Sequence, residues 1–174
     1  MWGAISGAVI GGASEAYALH GATANGLTMN EAAKIQQETG WSLDTISKIK
    51  STEEYELYKN AGLREMVVDG RTMLVRDIDL TYQSELGGQM VTNLERMQMG
   101  YAPIDPATGL SYQLHHVNQE IDGALAILTT AEHQGNATLL NTVGKEGVHS
   151  VLGSTWDTQR KAIWQAFANT VGGI

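Results

Sequence analysis

The chain contains no cysteine, so disulfides, thiolate metal sites and a cysteine nucleophile are excluded, and nothing ties it to one redox compartment. Phenylalanine is almost absent, with a single residue, which leaves aromatic packing to four tryptophans and six tyrosines. Basic residues are scarce as well. Against 19 Asp and Glu there are 11 Lys and Arg, and the formal net charge of -8 argues against a broad basic surface that grips nucleic acid non-specifically. A small local site completed by a bound cation remains compatible with that charge. Long apolar runs are missing too. Trp2 to Ser14 carries no charge, but it is rich in Gly and Ala and falls short of the roughly 20 apolar residues that a hydrocarbon span needs. No basic segment precedes it, so it does not read as a signal peptide. We expect no stable membrane insertion and read the stretch as the cut edge of a longer protein. Hydrophobic residues at 43% with charged ones at 17% describe a soluble globular chain, long enough at 174 residues to bury a core.

What is present begins with capping signals. Thr28 with Glu31 forms a capping box for a helix that stops at Gly40; Ser42 opens a second helix, and Ser51 with Glu54 a third that closes at Gly62. Tyr55, Leu57 and Tyr58 give the third helix an apolar side. Arg64 to Val68 and Arg71 to Val75 then alternate around Asp69-Gly70, a residue pair favoured in two-residue hairpin turns. Gln83 to Gln89, with Gly87-Gly88, reads as a boundary or linker. The expected division is therefore a helical segment with a hairpin over residues 1–88 and a second domain over 89–174, in an α+β fold. Thr92 with Glu95 caps a helix over Asn93 to Met99, stopped by Gly100. Pro103 and the turn from Asp105 to Gly109 lead into a strand within Ser111 to Gln119, Ala124 to Leu128 forms a buried strand, and Thr129 with Glu132 caps the helix after it. A last helix is predicted over Trp156 to Asn169, capped by Ser154 or Thr155.

Chemistry concentrates in the second half. Four of the five histidines fall between positions 115 and 149. His115 and His116 are adjacent on a strand, where neighbouring side chains point to opposite faces, so a site using both must sit at a strand end or bulge. Such a pair can divide labour, one imidazole holding a metal while the other takes a proton from water. The order strand, loop, strand, helix makes His115, His116 and His133 plausible neighbours, and His149 can fold back to them across the loop from Gly135 to Gly147. A loop of that length with three glycines is either functional or mobile.

The segments Thr92-Asn-Leu-Glu-Arg-Met, Gly100-Tyr-Ala-Pro103, Leu114-His-His-Val-Asn-Gln119, Leu128-Thr-Thr-Ala-Glu-His133, then His149 and Arg160 with Trp164, resemble in order the LHH family of nucleases. That family belongs to the HNH/endonuclease VII group with its ββα-metal site, and it occurs as the C-terminal toxin of bacterial polymorphic toxins. The upstream part is similar to the segment preceding the nuclease in such toxins, so residues 1–88 are expected to serve delivery. The resemblance implies a metal-dependent endonuclease with His116 as general base, His115 and His133 as metal ligands and His149 as the candidate third. It further implies that Gln119 orients His116, that Glu132 accepts an imidazole N–H, and that Arg160 clamps a phosphate. For Trp164 core packing is the simpler reading.

The implied cofactor is one divalent ion. Imidazole ligands suit zinc, nickel or cobalt, and manganese or magnesium fit if water and phosphate complete the shell. DNA is the expected substrate, with RNA left open, and a cognate immunity protein the expected partner of a toxin that is secreted within a larger protein and acts in the cytoplasm of the target cell. Three departures from the family's usual pattern stand out: Gln113 where an acid often precedes Leu-His-His, Asn118 for a frequent glycine, and Ile127 where Glu is common. Two other classes compete, an inactive metal-holding or delivery module and a metal hydrolase of another substrate such as peptidoglycan. No His-Glu-x-x-His spacing supports a zinc peptidase.

Overall fold

The structure, a computed structural model, describes residues 26–173. The uncharged stretch from Trp2 to Ser14 lies outside the described residues. Two compact units meet between Leu57 and Tyr58. Among the described residues no helix is long and apolar enough to cross a membrane.

In the first unit, helix α1 (Met29–Thr39) opens on the expected box: the Thr28 hydroxyl accepts from the Glu31 N–H, and the Glu31 carboxylate accepts from the Thr28 N–H. Helix α2 (Leu43–Lys48) is capped by Ser42. Helix α3 (Thr52–Asn60) crosses the division, and its first turn donates the Glu54 N–H to the Ser51 hydroxyl. Ile35, Trp41, Ile46 and Tyr55 are buried, Trp41 meeting Tyr55 edge to face at 6.0 Å while the Tyr55 hydroxyl donates to Glu38 at 2.6 Å. The helices thus gain the burial that such short segments need to persist.

The second unit is built on a four-stranded sheet. Strands β1 (Arg64–Val68) and β2 (Arg71–Val75) form the expected hairpin, with Asp69 and Gly70 both at positive φ, 47° and 75°, as a type I′ turn requires. The two histidines lie on β5 (Gln113–His116), antiparallel to the fully buried β6 (Leu125–Leu128). Strand β2 joins the same sheet by pairing in parallel with β6, Met73 beside Leu125 and Leu74 beside Ala126, so the spatial order is β1-β2-β6-β5. The upstream hairpin and the histidine strand therefore share one sheet. That arrangement differs from the expected boundary at residue 88, which separates them; a parallel pairing between strands fifty residues apart leaves no local trace in sequence.

The linker expected over Gln83 to Gln89 is instead a second hairpin, β3 (Gln83–Leu86) with β4 (Gln89–Thr92). Gly87 and Gly88, at φ 61° and 84°, are its turn rather than a flexible joint. Strand β4 passes directly into α4 (Asn93–Gln98), capped as expected by Thr92 and Glu95. After β6 come α5 (Thr130–Gly135), opened by the Thr129 and Glu132 box, then α6 (Ala137–Leu140), α7 (Val148–Leu152) and the long α8 (Ser154–Val171). The expected loop over Gly135 to Gly147 is thus partly helical, and His149 stands on a helix. Neither Ser154 nor Thr155 caps α8: Gly153, at φ 52°, joins α7 to α8 directly, with no side-chain cap. Helix α8 packs on α4, and Trp164 and Phe167 enter the same core as Met73, Met97, Leu125 and Ile127. Trp164 is 1% exposed, the core residue that the simpler reading expects.

Candidate active site

His115 and His116 pair across the sheet with Ala126 and Leu125, and both rings are buried. His116 is the last residue of β5. The chain then turns through a 3-10 segment, Val117–Gln119, in which Asn118 and Gln119 both have positive φ, 56° and 52°. The pair thus occupies a strand end, and the two rings meet different neighbours. His115 lies against His133 of α5, with ring centroids 5.4 Å apart. His116 lies against Trp156 of α8 at 4.6 Å, and His149 of α7 packs on the same indole at 5.4 Å. The capping box of α5 fixes where that helix starts and so places His133 one turn in, half-buried. All four imidazoles line one cavity of about 210 Å³, together with Leu114 and Gln119 on the β5 side and Asn141, Gly147 and Val148 on the other.

Burial sets the charge state of this cluster. It pushes His116 down to about 4, with the positive charge of Arg71 and that of His149 acting in the same direction. His133 is lowered too, by burial and then by His149. Both rings are held neutral near pH 7, the form that accepts a proton or binds a metal. His116 Nε2 is also buried with no hydrogen-bond partner among the described residues. A neutral imidazole with an uncommitted ring nitrogen is suited to serve as a general base.

The contacts give several of these side chains partners within the chain. The amide oxygen of Gln119, expected to orient His116, accepts the Thr142 N–H at 2.6 Å and so ties the turn after β5 to the segment after α6. Glu132, expected to accept an imidazole N–H, accepts the Thr129 N–H at 2.7 Å and the Arg76 guanidinium at 2.6 Å. Arg160 is exposed on α8 and pairs with Asp157 at 3.1 Å, outside the residues that line the cavity. Gln113 donates to the Thr130 hydroxyl at 3.2 Å, joining β5 to the start of α5. At Asn118 the backbone is left-handed, a conformation that glycine adopts freely and asparagine tolerates better than most side chains.

Two contributors escape a reading of the sequence. Trp156 precedes Arg160 and Trp164 at helical spacing, a signal that was available, and both His116 and His149 pack against its indole. Arg71 is visible only in space. Its Nε donates to the Gly123 carbonyl at 3.0 Å, and its Nη2 to the Ile121 and Gly123 carbonyls at 2.6 and 2.9 Å.

The donor set fits a divalent ion in part. Two imidazoles, His115 and His133, are neighbours on the cavity wall, and neutral imidazoles suit a transition metal whose remaining positions would be filled by water or phosphate oxygen. Among the described residues, however, no group of three or more His, Asp or Glu side chains is gathered closely enough to hold a metal. His149 lines the same cavity but is exposed on a five-residue helix, its ring tilted against Trp156.

Residues 92–170 match the model of the LHH family, described as a nuclease of the HNH/ENDO VII superfamily with conserved LHH. Here that triplet is Leu114, His115 and His116, all three on the cavity wall. No curated protein and no solved structure matches the chain. The segment belongs to the LHH family and is a nuclease domain, whose reaction is the hydrolysis of phosphodiester bonds in nucleic acid.

Proposed function

We propose that this LHH nuclease is a metal-dependent endonuclease that cuts DNA, with His116 as the general base. The observation that carries the reading is the neutral, buried His116 at a strand end, beside the neighbouring rings of His115 and His133. His116 takes a proton from water; the water oxygen bonds to phosphorus, and the bond from phosphorus to one bridging oxygen breaks, that oxygen leaving with a proton from solvent. His115 and His133, with His149 as the candidate third ligand, would hold a divalent ion, which would supply Lewis-acid stabilisation of the charge on phosphate. Arg160, one helical turn beyond Trp156, takes a phosphate flanking the cut through its fork of donors.

The wider role rests on the resemblance to nucleases of polymorphic toxins. In that reading the chain is the end of a larger secreted bacterial toxin, residues 1–88 serve delivery, and cleavage takes place in the cytoplasm of the target cell. A producer must protect its own genome, so a dedicated immunity protein is expected, with a basic surface complementary to the net charge of -8. The competing classes, an inactive metal-holding module and a hydrolase of peptidoglycan, lose ground to the family match.

Incubation of the purified chain with plasmid DNA and, in parallel, with structured RNA tests the proposal. Conversion of supercoiled to nicked and linear plasmid, abolished by chelator and restored by a divalent ion, is the expected result. Cleavage of RNA alone overturns the substrate, and cleavage unaffected by chelator overturns the metal.

A further inference from the structure

The turn that follows His116 is built against its own preferences. Two successive residues other than glycine, Asn118 and Gln119, sit in the left-handed region, and Gly123 is packed so tightly that a Cβ there would stand 2.9 Å from that of Glu120. Such a turn keeps its shape only when the surroundings over-determine it. Three anchors do so. The Val117 N–H donates to the Ala124 carbonyl at 3.0 Å, the segment after α6 reaches in with the Thr142 N–H and with Lys145 Nζ on the Asn118 carbonyl at 2.9 Å, and Arg71 grips the Ile121 and Gly123 carbonyls.

Arg71 is the anchor with the most direct tie to the sheet. It is the first residue of β2, opposite Val68 across the Asp69-Gly70 turn. Two residues on, Met73 pairs with Leu125; continuing that register, Arg71 stands level with Gly123, the residue whose carbonyl it holds. The planar fork of the guanidinium can donate to both carbonyls at once from a fixed position, which a flexible ammonium does less well. Arg71 also lies outside residues 92–170, the segment that carries the family's features.

We infer that Arg71 is a positioning residue for the nuclease reaction: by clamping the turn from Val117 to Gly123 it fixes the strand end that presents His116, and the upstream hairpin is thereby part of the catalytic unit. The inference rests on the reading of His116 as the general base. Arg71 makes no contact with a reacting group; it holds the backbone that leaves His116, and its charge also helps keep that ring neutral.

The test uses the full chain with Arg71→Ala, Arg71→Lys and His116→Ala, measuring kcat and KM on plasmid DNA together with thermal melts by circular dichroism. Arg71→Ala is expected to lower kcat roughly tenfold to a hundredfold, the scale of a small misplacement of a catalytic group, with KM nearly unchanged. Guanidinium ion at millimolar concentration is expected to recover part of that loss, and the double variant with His116→Ala to be no slower than His116→Ala alone. If Arg71→Ala does not fold, Arg71→Lys carries the test, with a reduced kcat in a folded protein as the expected result. Parent kcat in the folded variants, while His116→Ala is inactive, overturns this inference and leaves the general base standing. A loss of kcat that follows only the loss of folded protein, and that guanidinium does not relieve, also overturns it. If His116→Ala cleaves like the parent, the general-base reading falls and this inference falls with it.

Discussion

The buried charge state of His116 has a consequence for stability that can be measured without substrate. In the unfolded chain the ring titrates near its ordinary value of 6.5, and in the folded chain near 4, lowered by burial first and then by Arg71 and His149. Between those values the unfolded chain holds the extra proton, so acidification favours unfolding and stability rises with pH across the window. Each unit of separation is worth about 1.4 kcal/mol, so the contribution of this one ring falls by about 2 kcal/mol between about pH 7.5 and about pH 5, and the rest of it is lost as pH approaches 4. Urea unfolding of chelator-treated protein, followed by circular dichroism at a series of pH values, reads this directly. His133 is lowered as well, so the parent's slope contains more than one ring. Comparison with His116→Asn isolates the term of interest, because the packing cost of the substitution is the same at every pH. The parent is expected to lose about 2 kcal/mol more than the variant on going to about pH 5. A stability gap between the two proteins that does not change with pH, or a His116 ring-proton resonance that titrates near 6.5, refutes the reasoning.

Three further outcomes are expected. His116→Ala should keep its metal affinity and lose about a hundredfold to ten-thousandfold in rate, whereas His115→Ala should bind metal weakly and regain activity as the ion is raised; calorimetry and plasmid cleavage in parallel metal titrations separate them, and the reverse pattern would exchange the two roles. A chain beginning at Tyr58 should fold and cleave, while one beginning at residue 89 lacks β2 and leaves one edge of the buried β6 unpaired, so it should show neither a cooperative melt nor activity; parent-like cleavage by the shorter chain would show that the hairpin is dispensable. Arg160→Ala should raise KM with little change in kcat and lower the salt slope of DNA binding by about 1, as loss of one phosphate contact does; an unchanged KM and slope would mean that its pairing with Asp157 is its whole role.

The elements that could be read from sequence are those whose cause is local. Thr28 with Glu31, Thr92 with Glu95 and Thr129 with Glu132 all form the reciprocal hydrogen bonds that a capping box promises, because both partners lie within one turn. Asp69-Gly70 turns where expected for the same reason. What could not be read is decided across distance. Short polar strands such as β3 and β4 carry little hydrophobic signal, so their two glycines pass for a linker, and the five-residue helix bearing His149 is too short for any periodicity to declare it. Gln119 and Glu132 had the right composition to serve an imidazole, yet each found a partner, Thr142 and Arg76, that sequence spacing could not reveal.

The matched segment divides into side chains that carry chemistry and side chains that carry the frame, and the second kind explains why the first converges. Asn93 is fully buried at the start of α4: its amide nitrogen donates to the Asp79 and Ile104 carbonyls at 2.9 and 2.8 Å, and its amide oxygen accepts the Ile104 N–H at 2.7 Å. Arg96, one turn on, reaches the Ala102 and Glu85 carbonyls and the Ser84 hydroxyl, holding the β3–β4 hairpin to the chain that leads into β5. A buried polar group left unpaired costs about 1–3 kcal/mol, so these side chains are bound to one arrangement of the backbone around them. That arrangement sets the path into the histidine strand. Trp164 and Phe167 fix α8 in the core, which in turn seats Trp156 against His116 and His149. The spacing of the family's motifs therefore encodes a scaffold as much as an active site, and the histidines alone, transplanted to another strand end, would lack both the indole they pack on and the clamps that hold the turn behind them.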